Sequence, residues 1–122
     1  MADLAVRILI IGAGLINFAP VIGLLSRGQI VRMYQTPIEG VDLAILMRHR
    51  AALFGVVGGF MLFAAFQESL HFAGILMGLA AMFSYIALAV LSGGYNTALR
   101  TIIWIDVLGV CLLVSASILK LM

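Results

Sequence analysis

Apolar residues fill this chain in four long windows, and short polar breaks separate them. The windows run from about Ala5 to Leu25, Ala51 to Phe66, Leu70 to Leu91 and Ala98 to Leu119. A helix that crosses a bilayer needs about 20 mostly apolar residues. The breaks have turn chemistry. Ser26-Arg27-Gly28-Gln29 ends the first window, and Gln67-Glu68-Ser69 makes a tight polar turn between the second and third. Ser92-Gly93-Gly94-Tyr95-Asn96 separates the last two. The pattern predicts an all-α fold, an integral membrane four-helix bundle, with residues 1–122 as one domain.

Only the first connection is long, and the segment 26–50 is expected to be partly helical. Thr36-Pro37 should be extended or turned, because proline clashes with a helical residue before it. Asp42 is expected to cap a helix that starts near Leu43. Arg48, His49 and Arg50 then fall in its second turn, before the hydrocarbon. The stretch from Ile30 to Tyr34 is expected to lie along the interface. The first window is read as an uncleaved helix, since Asp3 and Arg7 make a weak signal-peptide start and Pro20 follows Ala19 where cleavage would be awkward.

Composition excludes whole classes of function. Of the 122 residues, 65% are hydrophobic and 10% charged, and the mean hydropathy is +1.25. Soluble domains are about half apolar and about a quarter charged. A water-soluble enzyme or nucleic-acid-binding module therefore does not fit, and no basic run suggests nucleic acid. Cys111 is the single cysteine, so one chain has neither an internal disulfide nor a CxxC pair. Arg27, Arg32, Arg48, Arg50 and Arg100 lie on the first and third connections, against Arg7 and Lys120 on the other side. The positive-inside rule then puts those two connections in the cytoplasm and both termini outside.

Candidate chemistry is sparse. Val6 to Asn17 imitates a strand followed by GxGxx, but a dinucleotide fold needs a small residue where Asn17 stands and an acidic residue about 20 further on. The apolar run simply continues to Leu25. His49 and His71 are separated by one helix, roughly 33 Å at 1.5 Å per residue, so they cannot clamp one haem. No metal site or cofactor is expected. Glu68 and His71, one helix turn apart, are expected to pair at the surface. Small residues at Ala51, Gly55 and Gly59, and at Gly74 and Gly78, are expected to mark helix packing, because helices in lipid associate through close approach. That packing is read as intrachain, with a homodimer seam as the alternative.

Helix parity gathers most polar groups at one end: Asn17, Arg48, His49, Arg50, Tyr85, Tyr95, Asn96, Arg100 and Asp106. Asp106 lies six residues, roughly 9 Å, inside Arg100. An Asp at the centre of a membrane helix costs about 2.5–3.5 kcal/mol. It must be protonated, reach water, or meet a group from another helix, with Arg50 or Arg48 first and His49 and Asn17 next. Arg48 and Arg50 point in different directions, so one turns inward and the other toward headgroups.

Leu46-Met47-Arg48-His49-Arg50-Ala51-Ala52-Leu53-Phe54-Gly55, with Gly93-Gly94-Tyr95-Asn96-Thr97-Ala98-Leu99-Arg100 and Asp106, resembles a group of small bacterial inner-membrane proteins. That group carries LMRHRA-LFG in its second helix, GGYN-A-R before its fourth, and an Asp soon after. Asn17 and Pro20 add to the likeness. More distantly, the pattern is similar to DoxX-like four-helix membrane proteins, some of which accompany quinone-linked oxidoreductases. The resemblance implies a four-helix bundle in a bacterial inner membrane, with a polar cluster at Arg48, His49, Arg50, Tyr95, Asn96, Arg100 and Asp106. It implies no reaction. The expectation is an accessory or binding protein without an evident catalytic site. Its partners would be the bilayer, a larger membrane complex or second copy, and a quinone-like or lipid ligand. The alternatives are an enzyme subunit that binds quinone or lipid, and a small proton-linked oligomeric transporter.

Overall fold

The computed structural model describes residues 2–20, 31–32, 40–94 and 96–122. Within them the chain forms α1 (Ala2–Phe18), α2 (Gly40–Ala65), a short 3-10 turn (Glu68–Leu70), α3 (His71–Ser92) and α4 (Thr97–Leu121). No strand occurs among the described residues. The fold is an all-α four-helix bundle. Among the described residues three segments are long and apolar enough to cross a membrane: Gly40–Ala65, Glu68–Ser92 and Thr97–Leu121. The first helix is described for 17 residues, followed by a 3-10 turn at Ala19 and Pro20. The rest of the first window, the Thr36-Pro37 turn and Tyr95 lie outside the described residues.

Each helix buries one stripe. In α1 it is Val6, Ile10, Ala13 and Asn17, spaced four, three and four apart as a 3.6-residue period requires. In α2, Ala44, Ala51, Gly58 and Ala65 recur every seven residues on the inner face. In α3 the stripe is His71, Gly74, Ile75, Gly78 and Met82. In α4 it is Ile103, Asp106, Gly109, Leu113 and Ala116. Val6, Ile10, Met61, Ile75, Met82 and Leu113 meet in one core. The outward positions remain apolar, with Leu76, Phe83, Trp104 and Ile118 all more than half exposed, as lipid-facing surface should be.

Around the bundle, α1 packs on α2 and α4, and α3 packs on the same two helices from the other side. The closest crossing is that of α1 with α2. A Cβ built on Gly58 would lie 2.6 Å from the Phe18 amide nitrogen and 2.9 Å from the Gly14 carbonyl oxygen. This corrects the expected packing face. Ala51 is buried on the inner stripe, but Gly55 is only half-buried, and a Cβ on Gly59 would meet nothing within 4 Å. The contact runs through Gly58, since the seven-residue spacing of the buried face turns Gly59 away from α1. Gly74 and Gly78 do face neighbours, Ala64 for the first and Met61 and Leu113 for the second.

Two ends are organised by local chemistry. Gly93 and Gly94 both have φ of +67°, which favours glycine, and they turn the chain from α3 toward α4. Asn96 caps α4 by accepting a 2.9 Å hydrogen bond from the Leu99 amide. Asp42 is no cap. The helix begins at Gly40, and Asp42 lies in its first turn, where its charge complements the helix dipole.

Candidate site at the bundle interior

The level of each side chain follows from the opposite end of the bundle, where all four helices meet. The last carbonyl of α2, Ala65, accepts from Arg7 Nε of α1 at 3.2 Å and from His71 Nε2 of α3 at 3.0 Å. A carbonyl only accepts, so His71 Nε2 carries the hydrogen and Nδ1 takes a 3.1 Å bond from Lys120 Nζ of α4. Lys120 also lies 3.8 Å from Glu68. The Arg7 guanidinium stacks on Phe66, 5.5 Å from the ring centre. The expected surface pair of Glu68 with His71 gives way to this arrangement. His71 is buried, and Lys120 stands between it and Glu68. Two of the preceding carbonyls, on Phe63 and Ala64, take the Phe66 and Gln67 amides. The C-terminus of α2 is thus closed by donors and cations, which its dipole favours.

From that plane the helix rise sets depth. Arg50 is 15 residues above Ala65, Tyr85 is 14 above His71, and Asp106 is 14 before Lys120. At 1.5 Å per residue all three stand about 21–22 Å up, on three different helices. Arg100 lies about 30 Å up, the thickness of a hydrocarbon core. The three residues are therefore inside the far surface by about two turns.

A cavity of about 410 Å³ lies at this level among α1, α2 and α4 and opens on the α1–α4 face, where its lining residues Leu15 and Ile105 are exposed. Its polar groups are Asn17, Arg50 and Asp106, and its apolar walls include Leu15, Ile16, Phe54, Ile102 and Ile105. Pro20 lies at its rim. Asp106 is 9% exposed, and Arg50 is the cation whose charge reaches it. Arg50 is held over the Phe54 ring at 4.7 Å and near the Tyr85 ring at 5.6 Å. Asn17, which lines the cavity, donates to the Ala13 carbonyl at 3.3 Å and to Met61 Sδ at 3.6 Å.

The cluster expected from sequence is therefore divided. Asn17, Arg50 and Asp106 converge. Arg48, His49 and Arg100 are exposed on outward faces near the membrane surface. Arg48 and Arg50 differ by about 200° around the helix, and Arg50 is the one that turns inward. Asn96 serves as a helix cap. Phe54 and Ile105 were missed as lining residues. Phe54 carries a readable signal, since it follows Arg50 at the i, i+4 spacing that stacks two side chains on one helix face. Nothing in a run of isoleucines distinguishes Ile105. Among the described residues no three His, Cys, Asp or Glu gather as a metal site.

The chain matches no protein-family model, no curated protein and no solved structure.

Proposed function

We propose that this chain is a small binding protein of the bacterial inner membrane. Its interior cavity takes a lipid-soluble molecule with a compact polar head. The observation that carries this reading is the convergence of Asn17, Arg50 and Asp106, from three helices, on one apolar-walled cavity of about 410 Å³. That volume lies within the roughly 300–1,000 Å³ of small-molecule sites, and few polar groups among many apolar ones is their usual lining. The two charges are of opposite sign, so the pair favours a head that is neutral and that both accepts and donates hydrogen bonds. A carbonyl- or hydroxyl-bearing ring of quinone type, or a neutral lipid head, has that chemistry. The resemblance at LMRHRA-LFG and GGYN-A-R supports the bacterial inner membrane, and the arginine distribution supports both termini outside.

Gentle purification followed by mass spectrometry of bound molecules tests the reading. The wild-type chain should retain one small lipid-soluble species. Asp106→Asn and Asn17→Leu, which keep the size of the side chain, should each lower its affinity about tenfold and so its occupancy, the effect of losing one hydrogen bond to a charged or buried group. Equal occupancy in wild type and both variants would remove the cavity from consideration. A stoichiometric quinone would extend the reading to a subunit of a membrane oxidoreductase.

A further inference from the structure

A second cavity plays no part in that reading. It is a groove of about 270 Å³ on the α2–α3 face of the bundle. Arg50 and Ser84 supply its polar groups, Tyr85 lines it with its hydroxyl buried, and Leu53, Ala81, Val57 and Leu88 form its apolar wall. Leu53 is 49% exposed, so the groove opens on the side that faces lipid.

The order of these residues along the bundle carries the argument. Arg50, Tyr85 and Ser84 stand roughly 20–22 Å above the plane of Ala65 and His71. Leu53 is about 18 Å up, Ala81 about 15 Å and Val57 about 12 Å. Leu88, also on the groove, stands about 25 Å up, so one apolar residue flanks the polar groups on the surface side while the longer apolar wall runs toward the middle of the bilayer. A single-chain amphiphile in that leaflet has the same order, head toward the surface and chain toward the centre. The cation at the polar end is a guanidinium, always charged and shaped as a fork for carboxylate or phosphate oxygens. The volume falls below the usual range for ligand sites, which suits one chain rather than two.

We propose that this groove binds a single-chain anionic amphiphile. Its carboxylate or phosphate sits on Arg50, and its chain lies along Leu53, Ala81 and Val57. Arg50 also lines the interior cavity, where its charge reaches Asp106. An anion in the groove and the Asp106 carboxylate draw on one guanidinium from two sides. Occupancy of the groove thus regulates the interior site. The regulation rests on the function proposed above, while the groove as a binding site stands apart from it.

The test uses the full chain in zwitterionic nanodiscs, titrated with hexadecanoate, hexadecanol or a lysophosphatidate and read by native mass spectrometry. At least one anion should bind about tenfold or more tightly than the alcohol, and the tighter anion identifies the head as carboxylate or phosphate. Arg50→Gln should erase the difference between acid and alcohol. Leu53→Trp fills the groove from an exposed position, and Ala81→Leu fills it from the other wall. Each should weaken anion binding and leave the species retained by the interior cavity in place. Asp106→Asn should tighten anion binding severalfold by removing a competing negative charge. Equal affinity for acids and alcohol, or unaltered anion binding in Leu53→Trp with native helicity, overturns the groove. Unchanged anion affinity in Asp106→Asn overturns the coupling. Loss of an interior ligand from the scheme while groove binding persists would count against the proposed function alone.

Discussion

Among the described residues Asp106 and His71 are the two titratable side chains that the fold buries, and their surroundings differ. His71 is satisfied on both ring nitrogens, by the Ala65 carbonyl and by Lys120. Asp106 borders open volume beside a cation. The first arrangement is a joint between helices, and the second belongs to the site proposed above to bind a ligand. A joint should show in stability. His71→Phe keeps a ring but leaves Lys120 without its nitrogen acceptor and Ala65 with one donor fewer. It should lower stability by about 1–3 kcal/mol, the penalty for orphaning buried partners. Adding Lys120→Met removes the orphaned cation, so the double variant should be less impaired than the single. Thermal unfolding in detergent, followed by circular dichroism, measures both. Identical melting of His71→Phe and wild type would mean that the joint contributes nothing. The Lys120–Glu68 pair is solvated, with 74% of the Glu68 side chain exposed, and should contribute little.

At the scale of helices, close approach decides stability, because apolar surface gains nothing by moving from lipid to protein. Gly58 meets backbone atoms of α1, which cannot swing aside singly. Gly58→Ala should therefore separate α1 from α2 and cost about 1–3 kcal/mol. Gly78 meets the ends of Met61 and Leu113, which are side chains able to rotate, so Gly78→Ala should cost less. Gly59→Ala adds a methyl group where no atom lies within 4 Å and should leave stability unchanged or slightly raised. Unfolding of the three variants in one detergent ranks them, and a Gly59 variant as damaged as the Gly58 variant would reject this account of the crossing. Gly55 and Gly59 satisfy a small-xxx-small spacing as well as any pair does, but spacing alone does not give the rotation of a helix about its axis.

For the molecule as a whole, parity puts the N-terminal end of α1, the α2–α3 turn and the C-terminal end of α4 together, and the joint among Arg7, Ala65, His71 and Lys120 has that composition. In the proposed orientation, with the termini outside, the turn at Glu68 would face the same way and the turn at Gly93 would face the cytoplasm. In a Cys111→Ser background, Glu68→Cys should react with an impermeant maleimide in intact spheroplasts, and Gly93→Cys should react only after lysis. The reverse pattern would invert the proposed orientation without altering the fold.

Hydrophobic run length by itself determined the number of helices and the breaks near Glu68 and Gly93, because the bilayer imposes one length and one polarity on any crossing segment. Helix parity was enough to bring Arg50, Tyr85 and Asp106 to one depth. Rotation about each helix axis was left to the tertiary structure. In a chain whose lipid-facing and core-facing residues are equally apolar, no amphipathic contrast marks the inner face. Packing alone turned Arg50 inward and Arg48 outward, selected Gly58 over Gly59, seated Lys120 on His71, and left two cavities on either side of one guanidinium.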